Sequence, residues 1–452
     1  MKTIFITIFQ GVEAKNILRT DIYRRLIERG DVRLVFFVGT PERAAYYRKE
    51  FSNPNIFYEV VGQRKKNLFE NFFSSLKFLL LATDTVDLRR RMALEENHNY
   101  LSYYLNLALN RILAHRPIRK LTRALDYFLV SSKTFKHHLE RYQPDLVFLA
   151  HLFDDLEIDL LREAKHRGIP VIGFINSWDK LTAARGVIRL LPDKLIVFND
   201  LVREEAEEHA DMKSEDIFIA GIPNYDWHIN YKPLSRDDFF RRKRLDPSKK
   251  LIVYAPMGKA FSNSDWDIID LLNNAITHKL ITHNSQLFVR FQPNDFTDET
   301  EIKKRPWLVY DLPGIRFSAE RGVDWDMSFH DIKGLTDTLA NADLFICYAS
   351  SMSIDAAVFD KPVINIDFEV RTKELMSKSP TYFYQMTHYQ NAVNSGGIVY
   401  PKNKEQFIIA INRYLEDPTI DRGGRSRLVR EQGWRLDGRA GERIANFLYE
   451  FI

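Results

Sequence analysis

The sequence has almost no cysteine. Cys347 is the one thiol among 452 residues, which excludes internal disulfides and cysteine-built zinc sites and leads us to expect a cytoplasmic protein. Long apolar runs are missing as well. The N-terminal apolar run, residues 4–9, is shorter than the core of a signal peptide, and no stretch approaches the roughly 18 apolar residues of a membrane span, so neither leader nor span is expected. No charge sign dominates: 65 Lys and Arg stand against 61 Asp and Glu, and a net +4 gives no general field for nucleic acid. Any basic surface must be local. With 19 Gly and 17 Pro there is no collagen-like or low-complexity bias, and 45% hydrophobic with 28% charged residues is the composition of a folded chain. The length predicts two domains.

Apolar runs and amphipathic runs alternate from the start. Residues 3–9 (TIFITIF) predict a strand, and Leu18, Ile22 and Leu26 at four-residue spacing predict one helix over 15–29, stopped by Gly30. Residues 32–38 (VRLVFFV) and 56–60 predict further strands. This alternation builds a parallel sheet with helices on its faces, and ligands of such sheets sit beyond the carboxyl ends of the strands. Gly11 at that edge would let the backbone approach an acceptor, and Arg19 one turn into the helix could reach the same crevice; a tight turn without ligand accounts for Gly11 equally well.

From about 64 to 142 the alternation gives way to a helical insertion carrying Phe69, Phe72, Phe73, Phe78, Tyr103 and Tyr104 beside the basic series Arg111, Arg116, Arg119, Lys120 and Arg123. Aromatic and leucine-rich faces next to cations suit a peripheral membrane contact. Helices packed on the sheet with a solvated basic face would give the same pattern.

Residues 146–150 restore the strand pattern and run into His151, Asp154, Asp155 and Glu157; residues 171–175 predict the next strand, which runs into Trp178 and Asp179. Polar clusters at neighbouring strand ends converge on one crevice. His151 and Asp179 are the candidates to take a proton from an acceptor hydroxyl, with Asp155 and Trp178 as acceptor contacts, while helix capping is the alternative role of Asp154 and Asp155. Strands at 194–198 and 217–220 precede a charged, proline-containing stretch, 232–250, which marks the boundary between domains 1–230 and 231–452.

The second half restarts the alternation, with a further strand ending at Ile366 expected after the turn signal Asp360-Lys361-Pro362. Strands at 251–255, 286–291 and 344–348 each end in a loop of phosphate-binding character: Gly258 and Lys259 at the first, Arg290 and Gln292 at the second, and Ser350, Ser351 and Ser353 at a helix start after the third. Serines there also serve as simple helix caps. No metal-ligand spacing occurs, so neither a metal nor another cofactor is expected.

Together, YAPMGK (254–259), VRFQPND (289–295), ASSMSIDAAVFDKPVINI (349–366) and DGRAGERIANFL (437–448) resemble the C-terminal half of GT-B nucleotide-sugar enzymes. The similarity extends to CDP-glycerol glycerophosphotransferases, capsule-type glycosyltransferases and UDP-N-acetylglucosamine 2-epimerases. GIPNYD (221–226) and SWDKLTAARG (177–186) resemble the interdomain and Trp-His-Gly-Thr motifs of the transferases. The resemblance implies two doubly wound, Rossmann-like domains facing a cleft, a nucleotide-sugar donor held by the C-terminal domain, and a glycan or lipid-linked acceptor held by the N-terminal one. Two positions depart from the pattern: Gln292 stands where the glycerophosphotransferases have histidine, and Asp179 where the transferases have histidine after the tryptophan. An amide cannot act as a base, so glycerophosphate transfer by the same residues is disfavoured. The expectation is a metal-independent, inverting glycosyltransferase of cell-surface polysaccharide or glycolipid assembly, with a 2-epimerase and a non-catalytic sugar-nucleotide-binding protein as the alternatives.

Overall fold

Runs of Val, Ile, Leu and Phe that are apolar on both faces become parallel strands, since only a sheet covered by helices on both sides buries them. The computed structural model describes residues 1–183, 185–318, 325–371 and 375–452, so the motif at 177–186 is described apart from residue 184. The chain forms two units: Met1–Leu94, His98–Asp226 and Trp434–Ile452 make the first, and Trp227–Gly433 with Glu95–Asn97 make the second.

The first unit holds seven strands: β1 (Lys2–Ile8), β2 (Val32–Val38), β3 (Ile56–Val60), β4 (Leu146–Leu149), β5 (Val171–Phe174), β6 (Lys194–Val197) and β7 (Ile217–Ile219). They lie in the order β3-β2-β1-β4-β5-β6-β7, all parallel, so the strand order reverses between β1 and β4. The second unit holds β8 (Lys250–Tyr254), β9 (Ser285–Arg290), β10 (Val309–Asp311), a small antiparallel pair β11 (Ile315–Arg316) and β12 (Trp325–Asp326), then β13 (Leu344–Cys347), β14 (Val363–Asn365) and β15 (Ile398–Val399). Its main sheet runs β10-β9-β8-β13-β14-β15 and reverses between β8 and β13. Each unit has its own apolar core.

Two expectations need correction. The helix predicted over 15–29 is two helices, Gly11–Ile17 and Asp21–Glu28, because Thr20 interrupts the first and caps the second by accepting from the Ile22 N–H. The closing segment Trp434–Ile452, placed by sequence in the second domain, belongs to the first unit. The reason is a clasp between two motifs. Asp226 accepts from the N–H groups of Ala440 (3.0 Å) and Gly441 (2.8 Å) at the start of helix Ala440–Tyr449, and Arg443 of that helix donates to the Ala220 carbonyl (2.8 Å). Gly221, at φ 87°, leaves room for it: a Cβ there would lie 3.1 Å from Arg443 and 3.3 Å from Ala440.

The insertion forms helices Leu68–Leu76, Asp84–Asn97, Tyr100–Leu113, Arg116–Leu129 and Lys136–Tyr142. It docks through an apolar cluster, Leu80, Leu81 and Val86 against Val187, and through a polar seam. Helix Arg116–Leu129 buries Arg119, Arg123 and Asp126, spaced to lie on one face. Arg119 and Arg123 both bind Asp211 (2.7 and 2.5 Å), and Asp126 accepts from Arg162 (2.8 Å) and Arg189 (2.8 Å). The opposite face exposes Leu121, Leu125 and Phe128. Asp155 joins the same seam, bonded to Arg189, Ser74 and Lys66.

Asp226→Ala removes the acceptor of two N–H groups in a buried clasp. Urea unfolding should show a loss of about 2 kcal/mol, with Asp226→Asn, which keeps one acceptor, losing less.

Candidate active site

At the carboxyl edge of the first sheet, the order reversal sends the chain from β1 and from β4 into different helices, and the residues at the turns enclose a polar cluster. Glu157 ties the two strand ends together. Its carboxylate accepts from the Thr7 hydroxyl on β1 and from the Ala150 (3.1 Å) and Leu152 N–H groups after β4. Leu152 is held with φ 66°, a left-handed conformation that costs a leucine on the order of 1 kcal/mol, and Gly173 on β5 makes space for its side chain. A Cβ at Gly173 would lie 2.3 Å from Leu152.

Glu13 faces this cluster from the helix after β1. One carboxylate oxygen accepts from the Phe9 and Gln10 N–H groups, and the other is buried with no hydrogen-bond partner among the described residues. Burial, reinforced by Glu157 and Asp154, holds Glu13 well above the usual carboxylate range, and burial with Asp154 pushes Glu157 up to about 7. His151 is fully enclosed; its Nε2 lies 2.7 Å from the Lys180 ammonium nitrogen, and its Nδ1 lies 3.8 Å from Asp154. Burial and the Lys180 charge keep the imidazole neutral, and burial brings Lys180 down to about 8. Glu13, His151 and Asp154 each offer a ligand atom within 4.8 Å of the others, a spacing compatible with a cation. The Lys180 ammonium on the other imidazole nitrogen opposes a second positive charge, so the set is better suited to acid-base work.

The sequence-predicted residues of this unit separate into two groups. His151 and Asp179 flank Lys180, with Asp179 half-buried at the rim beside Trp178 and accepting from the Ser177 hydroxyl. Loss of solvent around half-buried Glu205, reinforced by Asp179, raises that carboxyl to about 8. Gly11 starts the helix that carries Glu13. Arg19 and Asp155, by contrast, are committed elsewhere: Arg19 is buried against Glu50 (2.7 Å) and Tyr46 (3.1 Å), and Asp155 anchors the insertion. Both were expected in the crevice, and ion pairs hold them out of it. Glu13 and Lys180 were not singled out by sequence. The Gln10-x-x-Glu13 capping box was the available sign for the first; nothing in the local pattern marks Lys180 as buried.

In the second unit, Gly258, Lys259 and Gln292 come together at the ends of β8 and β9. Gly258 (φ 89°) packs its backbone on Gln292 and Asp295, with a Cβ position 2.1 Å and 2.9 Å away, and the Gln292 amide donates to the Met257 carbonyl. Asp265, raised to about 6 by burial, fixes the loop by accepting from Tyr254 and from the Met257 and Gly258 N–H groups. Beside them is a cavity of about 410 Å³ lined by Lys259, Ser262, Asp295, Trp266 and Lys378. The Lys259 ammonium is exposed there and makes no ion pair among the described residues.

Two phosphate candidates are placed otherwise. Arg290 is buried, paired with Asp311 (2.5 Å) and donating to the Asp331 carbonyl (3.0 Å), because β10 adds to the sheet edge beside it. Ser353 lies in the core, bonded to Cys347 (3.3 Å), Tyr389 (3.0 Å) and Asn365 (3.0 Å). Ser350 and exposed Ser351 remain at the end of β13, while Ile354 and Ala357 are buried behind them and Val358 is half-buried. Ser351, the residue before helix Met352–Val358, makes no side-chain cap.

Comparison with known proteins identifies the fold. No family model matches the chain. A curated relative, UDP-N,N'-diacetylbacillosamine 2-epimerase (hydrolyzing) of Legionella pneumophila, is 24% identical over 297 residues, covering 64% of this chain and 74% of its own. The structure of UDP-GlcNAc 2-epimerase from Neisseria meningitidis bound to UDP-GlcNAc aligns over 100% of both chains with a TM-score of 0.53 and 12% identity. That of a glycosyltransferase from Rickettsia africae aligns over 99% of both, with a TM-score of 0.50 and 12% identity. The fold is therefore of the GT-B type, two doubly wound parallel-sheet units with helices on their faces.

The lowered Lys180 pKa carries a sign. Unfolded, the lysine holds its proton up to about pH 10.4; folded, it releases it near 8. Its penalty is full below pH 8 and is relieved as pH rises toward 10. Relative to Lys180→Met, the wild type should gain about 1 kcal/mol of stability per pH unit across that window, read by urea unfolding at each pH.

Proposed function

We propose that this protein is a glycosyltransferase that moves a sugar from a nucleotide-activated donor to a cell-surface glycan or glycolipid. The observation that carries the reading is the division of chemistry between the units. The strand ends of the first hold an acid-base set, Asp179 at the rim with His151, Lys180 and Glu13 behind it, and those of the second hold a tightly turned glycine loop whose exposed Lys259 makes no ion pair among the described residues and borders a cavity lined by Lys378 as well as by Asp295 and Asp298. A transferase needs one site that takes a proton from the acceptor hydroxyl and another that stabilises the departing nucleotide diphosphate.

In this mechanism Asp179 accepts the proton as the acceptor oxygen attacks the anomeric carbon. It is the accessible carboxylate of the set, whereas His151 has no exposed surface and acts as a positioning residue through Lys180. Lys259, Ser350 and Ser351 are the groups we assign to the donor phosphates, with Gly258 allowing close backbone approach. We expect no metal requirement, in keeping with the Lys180 ammonium inside the acidic cluster.

A hydrolysing 2-epimerase is the second reading, favoured by the Legionella relative and by the acids gathered around one imidazole, the enclosed Glu13 and Glu157 and the half-buried Asp154. Such a reaction needs acid-base groups on one sugar and no acceptor.

Calorimetry with UDP, CDP and GDP should find one nucleotide that binds, and Lys259→Ala should weaken it about tenfold or more. Asp179→Asn should leave donor binding intact and lower turnover by about 100-fold or more, and chelation should leave turnover unchanged. Product analysis without acceptor decides between the readings: release of a 2-epimerised sugar would replace the transferase by the epimerase.

A further inference from the structure

Part of the helical insertion is turned inside out, while helices Asp84–Asn97 and Lys136–Tyr142 bury apolar residues in the usual way. Soluble helices bury their apolar stripe and expose charge; here helix Arg116–Leu129 buries Arg119, Arg123 and Asp126 and exposes Leu121, Leu125 and Phe128. Helix Tyr100–Leu113 repeats the inversion. Its one buried residue is Asn110, bonded to the carbonyls of Leu79 and Leu81 (both 2.8 Å), while Leu101 is 80% exposed. Helix Leu68–Leu76, which packs on Arg116–Leu129, exposes Leu68 and Phe72 and buries Phe73 together with Glu70, the latter paired with Arg64. A contiguous set of large apolar side chains facing outward marks an interaction surface.

Charge identifies the occupant. Residues 64–142 contain 15 Lys and Arg and 7 Asp and Glu, a net +8 in a chain whose total is +4, so everything else sums to −4. Lys65, Lys120 and Lys133 are exposed and make no ion pair among the described residues. Lysine is depleted at protein interfaces, whereas lysine and arginine beside leucine and aromatic residues match the boundary of an anionic bilayer. None of the described helices is long and apolar enough to cross a membrane, so the contact is with the surface.

We propose that the outward faces of the insertion helices dock on an anionic lipid bilayer. Leu121, Leu125 and Phe128 enter the headgroup boundary, and Lys120 and Lys65 meet lipid phosphate. The buried Asp126 and Asp211 pairs hold the helix so that this face cannot turn inward. Docking is independent of the proposed reaction and would bring a lipid-linked acceptor to the enzyme.

The test is flotation of the full chain with phosphatidylcholine vesicles with and without phosphatidylglycerol. The wild type should float with the anionic vesicles and be released by high salt. Leu121→Ser/Leu125→Ser/Phe128→Ser should reduce the bound fraction tenfold or more, and Lys120→Glu/Lys65→Glu should weaken binding by about fivefold per cation removed. These positions are exposed, and circular dichroism checks that both variants fold. Absence of vesicle binding by the wild type overturns the proposal. Binding unchanged in both variants also overturns it, as does sedimentation as a dimer that the triple variant abolishes, because the face would then be a contact between copies.

Discussion

Reversal of strand order in a parallel sheet leaves a gap that the sheet itself cannot fill. Between β1 and β4 the chain departs in two directions, and the N–H groups of Phe9, Gln10, Ala150 and Leu152 have no strand to pair with. Two buried carboxylates, Glu13 and Glu157, accept from them. Burying carboxylates raises their affinity for protons, and a carboxyl that titrates near neutrality can do chemistry. The demand for backbone satisfaction and the supply of an acid-base group are thus met by the same side chains. His151 and Lys180 extend the set because β5 delivers Lys180 one strand further along the same edge.

Within the insertion, helix Arg116–Leu129 obeys the opposite rule from the sheets. Its attachment depends on Asp126 and Asp211, each held by two arginines, and ion pairs buried at this level gain little over apolar packing but are costly to break, by roughly 3 kcal/mol or more when one partner is lost. They do confer orientation. A leucine seam would slide or rotate at small cost, whereas two arginines forked on one carboxylate fix the helix about its own axis. Which side of the helix faces out is therefore set by electrostatics.

Much of the sheet architecture was legible because parallel strands are short, apolar on both faces and separated by turn residues. The main-sheet strands that the pattern missed, β10 and β15, are three and two residues long at sheet edges, too short to show a pattern. The break at Thr20 was hidden because its apolar neighbours keep helical spacing across it. Placement of polar groups at strand ends was readable; their partners were not. Arg290 and Ser353 sit at the expected chain positions, yet Asp311 and Tyr389, far away in sequence, turn them into structural contacts. Lys180 reads as one charge among several, and only the fold shows that it is enclosed against His151. For the insertion, periodicity identified an apolar stripe without saying on which side of the helix it lies.

The clasp at Asp226 also fixes a topology. The chain leaves the first unit at Asp226 and returns to it at Trp434, and the carboxylate at the point of departure holds the helix that follows the return. The whole of Trp227–Gly433 is thereby a loop closed at its base, as a disulfide would close it. A single proteolytic cut in either connection leaves the pieces joined through the other. When the second unit unfolds while the clasp holds, its chain has fewer conformations to explore than one tethered at a single end, which lowers the entropy it gains.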